Sequence, residues 1–104
     1  MEDKQIGVFK LITGEELISE FVIDKDMYVL RKPRQVYLMQ VGPNQFGLKI
    51  RPWVVSNENG TFPLHVSSVI TVSSEIEESL KNGYITETSG IDMSQATPQK
   101  LVGV

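Results

Sequence analysis

The residues best suited to chemistry in this sequence are basic and aromatic side chains that share one segment. No acidic residue occurs from Met27 to Asn57, although the chain carries a formal net charge of −3. That segment holds five of the ten Lys and Arg residues and four interleaved aromatic residues, which are Arg31, Lys32, Arg34, Lys49 and Arg51 with Tyr28, Tyr37, Phe46 and Trp53. Flat rings stack on unpaired bases while cations pair with phosphates, so the pattern favours single-stranded nucleic acid. The other interpretation is a solvated strand face, with the aromatic rings in the core or at a subunit interface.

His65 is the only histidine, and the chain has no cysteine. A single imidazole without thiolates or spaced carboxylates makes no metal site, and no nucleophile lies near it in the sequence. We expect His65 to cap a turn or to line a pore. The acidic groups Glu15–Glu16 and Glu75–Glu78 fall at a turn and at a helix start, where acids stabilise the helix dipole. We therefore assign no catalytic residue, metal or cofactor, and we do not expect an enzyme.

Length and composition limit the protein class. A chain of 104 residues is expected to form one domain with one modest core. The start, "MEDKQIGVFK", has acids where a signal peptide needs positive charge, and no apolar run approaches the ~18 residues of a membrane span. The absence of cysteine fits a reducing compartment. We expect a cytoplasmic protein without a membrane partner.

The elements that must position these residues are mainly strands. Alternating or β-branched runs predict strands at Ile6–Thr13, Glu16–Asp24, Met27–Val41, Gln45–Val55, "TFPLHV" and "SVITV". Turn residues separate them, with a very short turn at Ser67–Ser68. Pro33 lies inside the third run, and proline lacks an N–H for the ladder, so we expect a bend, bulge or edge there.

One helix is predicted after the strands. Ser74 with Glu77 three residues later is a capping box, Lys81 lies in the last turn, and Gly83 is a stop signal. These signals predict a helix over residues 75–82. Residues 86–104 have no hydrophobic period and many small polar residues, which predicts a flexible tail after a domain spanning residues 1–85.

Several predicted strands are apolar on both faces. Val36 and Leu38 alternate with Tyr37, Met39 and Val41. A sheet with water on one side does not have this pattern. One short helix gives too little cover, so we expect a small, strongly bent barrel with subunit contacts.

The ordered pattern of these residues resembles the Sm-like proteins, small five-stranded barrels that assemble into rings and commonly bind RNA. The first Sm motif is matched in order by Gly14, Leu17, Phe21, Ile23, Asp24, Met27, Val29 and Leu30. The second motif is matched by "LHVSSVITV", Leu64 to Val72, with His65 at the basic position. The resemblance covers Ile6 to Val72 and implies an all-β, strongly bent five-stranded Sm-like barrel with one short C-terminal helix and a flexible tail.

The sequence departs from the family pattern at the base-binding positions. Asp26 and Tyr28 flank Met27 where the family often has a base-stacking residue and an Asn, and Val66 replaces a Gly. Asp24 and Asp26 on the rim of every subunit would repel phosphate. Tyr28 and His65 are then substitutes for the usual base contacts. The departures are typical of a distant branch, such as the Sm-like proteins of phages.

The resemblance implies a cyclic homo-oligomer of about five to seven subunits, in which the fourth strand of one copy pairs with the fifth of the next. The candidate interface residues are Phe46, Leu48, Ile50, Trp53, Val69, Ile70 and Val72. The candidate nucleic-acid-binding residues are Tyr28, Arg31, Lys32, Arg34, Lys49, Arg51 and His65. Trp53 is either an interface anchor or a plain core residue. The family implies a ring that binds RNA or other single-stranded nucleic acid; the alternative is a ring-shaped scaffold for proteins, without nucleic acid.

Overall fold

A computed structural model describes residues 5–89 as one mostly antiparallel sheet and one helix. The strands are β1 (Gln5–Leu11), β2 (Glu16–Asp24), β3 (Met27–Gly42), β4 (Gln45–Pro52), β5 (Thr61–His65) and β6 (Val69–Ser73). Short 3₁₀ turns span Val55–Asn57 and Val66–Ser68, and the helix α1 spans Glu78–Ser89.

The sheet runs in the order β4-β3-β2-β1-β6, and β5 pairs with β3 as well. The long strand β3 has two partners in turn: its residues 27–31 pair with β5 and residues 34–42 with β4. The described residues therefore form six strands where five were predicted. The extra strand arises because β4 ends at Pro52 and the chain rejoins the same partner as β5.

A kink at Lys32 and Pro33 separates the two halves of β3. Lys32 has φ 57°, a left-handed conformation, and Pro33 has no N–H to donate. The register between β2 and β3 shifts at the same place, between Ile18 and Glu20. The bend predicted at Pro33 is confirmed, and it is what lets one strand serve two partners.

The two faces of the sheet carry separate hydrophobic clusters, as the two-sided apolar strands predicted. The first cluster contains Phe9, Leu11, Leu17, Phe21 and Leu30. The second cluster lies beneath α1 and contains Ile18, Val36 and Tyr84, with Ile6, Val8, Ile50, Ile76 and Leu80 packed against it. Each face of the sheet thus has its own buried layer.

The helix differs from the predicted one at both ends. It begins at Glu78 rather than near residue 75, and Ser73 Oγ accepts a hydrogen bond from Glu75 N at 3.0 Å in the turn before it. It continues through Gly83 to Ser89, because Tyr84 and Thr88 are buried one turn apart. Their burial outweighs the cost of about 1 kcal/mol for a helical glycine. Residues 86–89 therefore belong to the helix, and the rest of the predicted tail, residues 90–104, lies outside the described residues.

The Tyr84 hydroxyl joins the helix to the kink. It accepts a hydrogen bond from Glu20 N at 2.9 Å, and its single hydrogen points to the carbonyl oxygens of Arg31 and Lys32, each 3.0 Å away. Ser19 Oγ bonds to the Arg31 oxygen at 2.9 Å beside it. These side chains supply the hydrogen bonds that the interrupted ladder lacks.

Replacing Tyr84 with Phe tests this junction. The ring still fills its pocket, but three backbone groups lose their hydroxyl partner, so we expect the free energy of unfolding to fall by about 1–3 kcal/mol. Urea unfolding followed by circular dichroism measures the change. Tyr37→Phe is the matched control, because the Tyr37 hydroxyl makes no hydrogen bond within residues 5–89. An equal, small loss in both variants would contradict the junction.

The same side chain gives stability a dependence on alkaline pH. Burial raises the pKa of Tyr84 above its ordinary value of 10.0. The folded state then keeps the phenol proton that the unfolded state releases, so this contribution is complete below about pH 10 and is lost as the pH rises further. We expect the stability advantage of the wild type over Tyr84→Phe to shrink above about pH 10. An advantage that stays constant through this range would show that Tyr84 does not titrate differently in the two states.

Candidate nucleic-acid interface

The β3–β4 hairpin gathers three of the basic and aromatic side chains on one face. The strand register places Tyr37 opposite Lys49, and Arg51 opposite Gln35. The Arg51 guanidinium carbon lies 4.5 Å from the centre of the Tyr37 ring, a cation–π contact. Lys49 and Arg51 are exposed, and Tyr37 is half-buried. We call Tyr37, Lys49 and Arg51 the basic hairpin face; strand alternation directs it away from the side that α1 covers.

The three basic residues around the kink have different roles. Arg31 is exposed, whereas the Lys32 ammonium donates to Thr88 O at 3.1 Å. Arg34 is only 2% exposed. Its guanidinium bonds to Glu87 Oε2 at 2.8 Å, Glu58 O at 2.6 Å and Asn59 Oδ1 at 2.9 Å.

Arg34 therefore holds three parts of the fold together, and its placement at a nucleic-acid surface is corrected. An internal guanidinium with all of these partners has no free donor to offer a phosphate. Lys32 is likewise engaged by the carbonyl at the end of α1. Only Arg31 of this group is available to an outside ligand.

Tyr28 belongs to the core rather than to an open stacking surface. Its ring makes edge contacts with Phe9 and Phe21, at centroid distances of 5.2 Å and 5.9 Å. It is half-buried against the first cluster. The structure thus agrees with the interpretation that the aromatic residues of this segment serve the core.

His65 caps the 3₁₀ turn that follows β5, as one of its two predicted roles required. Ser67 N donates to His65 Nδ1 at 3.0 Å, so Nδ1 is an acceptor and the neutral ring carries its hydrogen on Nε2. Nε2 lies 2.9 Å from Asp26 Oδ2. The β3–β5 register, with Met27 opposite His65, brings this pair together. Nothing in the spacing of two residues 39 positions apart indicates the contact.

The candidate interface residues divide into exposed and internal ones. Phe46, Leu48 and Ile70 are exposed on β4 and β6, the two ends of the strand order. Val69, Val72 and Trp53 are partly buried against the first cluster, and Ile50 packs on the second. Trp53 Nε1 also donates to Glu15 Oε2 at 3.3 Å. The core interpretation of Trp53 is the one that the contacts favour.

A groove lies beside this edge, between β4 and α1. Its volume is about 570 Å³. Apolar side chains and two carboxylates line it, namely Leu48, Ile50 and Leu80 with Glu77 and Glu87.

A family model described as "Sm_like domain" matches residues 8–85, three quarters of the chain. The chain belongs to the Sm-like family. Proteins of this family are generally associated with RNA binding and ring oligomers, and they are typically non-catalytic. The matched region includes most of α1, so the helix that carries Tyr84 lies within the Sm-like domain of this chain. No curated protein matches the sequence.

Two further findings concern the described part of this Sm-like chain. Residues 5–89 bring together no group of three or more His, Asp or Glu side chains that could hold a metal ion. Within the same residues, α1 is the single α-helix, and it is too short and too polar to cross a membrane.

A pair of arginine substitutions tests the structural role of Arg34. Arg34→Ala removes hydrogen bonds to α1 and to the loop after β4, and Glu87 is 37% exposed, so water recovers part of the lost ion pair. We expect a loss of about 3 kcal/mol in the free energy of unfolding. Arg31→Ala, at an exposed position of the same strand, is expected to change it by less than about 0.5 kcal/mol. Chemical denaturation of both variants measures this, and equal effects would contradict a structural Arg34.

Proposed function

We propose that this protein assembles into a homo-oligomeric ring and that the ring binds RNA or other single-stranded nucleic acid. The observation that carries the proposal is the pairing state of an Sm-like sheet whose terminal strands, β4 and β6, expose apolar side chains along their open edges.

Two backbone hydrogen bonds support a strongly bent, barrel-like sheet. Ile12 N donates to Ser68 O, and Val66 N donates to Asp26 O, each at about 3 Å. Ile12 and Asp26 flank opposite ends of β2, which has nine residues and so spans about 30 Å. Residues 66 and 68 are two Cα steps apart, at most about 8 Å. The two ends of β2 are reached by one short turn only if the sheet curls.

The open edges support self-assembly. A strand edge with unpaired N–H and C=O groups adds another strand readily unless it is covered. Pairing β4 of one copy with β6 of the next satisfies both edges with one head-to-tail contact, and such a contact closes into a ring. The exposed Phe46, Leu48 and Ile70 lie on these two strands and would be buried by it.

The basic hairpin face supports the nucleic-acid ligand. Arg51 stacked on Tyr37, with Lys49 directly opposite in the register, combines a flat surface with two positive charges. No acidic residue lies between Met27 and Asn57 to oppose phosphate. A ring would repeat this face once in every subunit, so weak contacts to one strand of nucleic acid would add.

A protein-interaction ring without nucleic acid is the second candidate. The net charge is −3, and Asp24 and Asp26 are exposed on the turn between β2 and β3. Tyr28 and Arg34, two of the seven nucleic-acid candidates, are held inside the fold. These observations favour a ring surface that recognises a protein.

Size exclusion with light scattering tests assembly. We expect a mass of about five to seven times the 11.7 kDa of one chain. Absorbance recorded together at nucleic-acid and protein wavelengths reports bound nucleic acid in the same run. A stable 11.7 kDa species at high concentration would contradict the ring.

Arg51→Gln tests the ligand. We expect weaker binding of a labelled single-stranded oligonucleotide, with the slope of log affinity against log salt reduced by about 0.7 for the lost phosphate contact. Lys81→Gln, an equal charge change on exposed α1, is the control and should leave both unchanged. Replacing Arg31, Lys32 and Arg34 together is unsuitable, because two of them hold α1. No binding by the wild type at low salt would favour the protein scaffold.

A further inference from the structure

The groove between α1 and β4 is open at the edge of the sheet. Leu48, Ile50 and Leu80 form its apolar part, and Glu77 and Glu87 stand at its rim. Leu48 is 46% exposed in the isolated chain. The helix covers Val36 and Ile50 of the hairpin but leaves this apolar strip beside the unpaired edge of β4.

The opposite edge of the sheet carries a matching protrusion. Between β1 and β6 the register passes from Lys10–Thr71 to Leu11–Val69, which leaves Ile70 as the extra residue of a bulge. Ile70 is 63% exposed. Val69 and Val72 pack on the first cluster, so the bulge places Ile70 with Thr71 on the other face, the one that α1 covers.

Adding a strand to a sheet preserves its faces. When β6 of one copy pairs with β4 of another, the face that carries Ile70 continues the face on which the α1 groove lies. The protruding isoleucine of one copy is then adjacent to the apolar groove of the next. The Cβ directions along the two strands allow no exchange of faces without a slip of one residue.

Charge complementarity identifies the occupant as a second copy of this chain. Glu77 is exposed and makes no side-chain hydrogen bond or ion pair within residues 5–89. Lys10, opposite the bulge, is exposed, and its ammonium bonds only to Gly14 O, at 3.0 Å, among the described residues. A basic group thus accompanies Ile70, and an acidic group accompanies the groove.

We propose that the α1–β4 groove receives Ile70 of the neighbouring copy, with Lys10 of that copy beside Glu77. This inference rests on the proposed ring and adds to it that α1 is part of the subunit interface. Strand pairing at an edge would occur with or without the helix; the groove exists only when α1 is seated by Tyr84. Folding of the helix and assembly of the ring are therefore coupled.

A matched pair of substitutions separates this inference from the ring itself. Ile70→Asp places a carboxylate in an apolar groove that already carries two acids, and we expect loss of the oligomer in light scattering. Ile23→Asp is the control, because Ile23 is also 63% exposed but lies on β2 at the far end of the sheet. It should keep the wild-type mass. If both variants keep that mass, the groove inference is overturned and the ring stands; if the wild type is monomeric, the proposed function fails as well.

Cysteine crosslinking tests the contact directly, since the native chain has no cysteine. Ile70→Cys combined with Leu48→Cys should give a ladder of disulfide-linked oligomers after mild oxidation. Ile23→Cys combined with Leu48→Cys should give none. An assembled Ile70/Leu48 variant that forms no ladder would overturn the contact, as would a ladder of equal yield in the control.

A charge exchange tests the polar part of the contact. Lys10→Glu should weaken assembly, and adding Glu77→Lys should restore it toward the wild-type mass at the same concentration. Failure of the second change to restore assembly would overturn the Lys10–Glu77 contact.

Discussion

The contact on which the rest of the structure depends is the Tyr84 hydroxyl at the kink of β3. Pro33 cannot donate to a ladder and Lys32 turns the strand, so regular pairing with β2 stops there. The hydroxyl bonds to one backbone N–H and two carbonyl oxygens at this point. The kink divides β3 between β5 and β4, and the same hydroxyl fixes α1 above the sheet. Strand topology and helix position thus follow from one junction.

The acid-free segment uses its positive charges in two ways. Arg34 and Lys32 point back toward α1 and the loop after β4, where they stabilise the fold. Lys49 and Arg51 remain on the outer hairpin face. A run of basic residues in a sequence therefore overstates the charge offered to a ligand, because burial in the tertiary structure decides which guanidinium groups stay available.

Much of the fold could be predicted from local pattern. Strand runs, the Pro33 bend and the His65 cap depend on residues close in sequence, and the structure agrees with them. The end of α1 could not be predicted, because Gly83 is a local stop signal and the burial of Tyr84 and Thr88 against distant strands overrides it. The internal roles of Arg34 and Tyr28 also depend on packing between residues far apart in sequence, as does the Asp26–His65 pair. A charge or a ring alone does not indicate which side of a bent strand it will occupy.

The central claim is that the outer edges of β4 and β6 are paired between copies of this chain. In an antiparallel edge strand, alternate amides point away from the strand's own partner. Amide hydrogen exchange read residue by residue tests those amides directly. The account predicts that the outward amides of Gln45–Pro52 and Val69–Ser73 are protected in concentrated protein and lose protection on dilution. Fast exchange of these amides at every concentration, with β1 and β2 still protected, would contradict it.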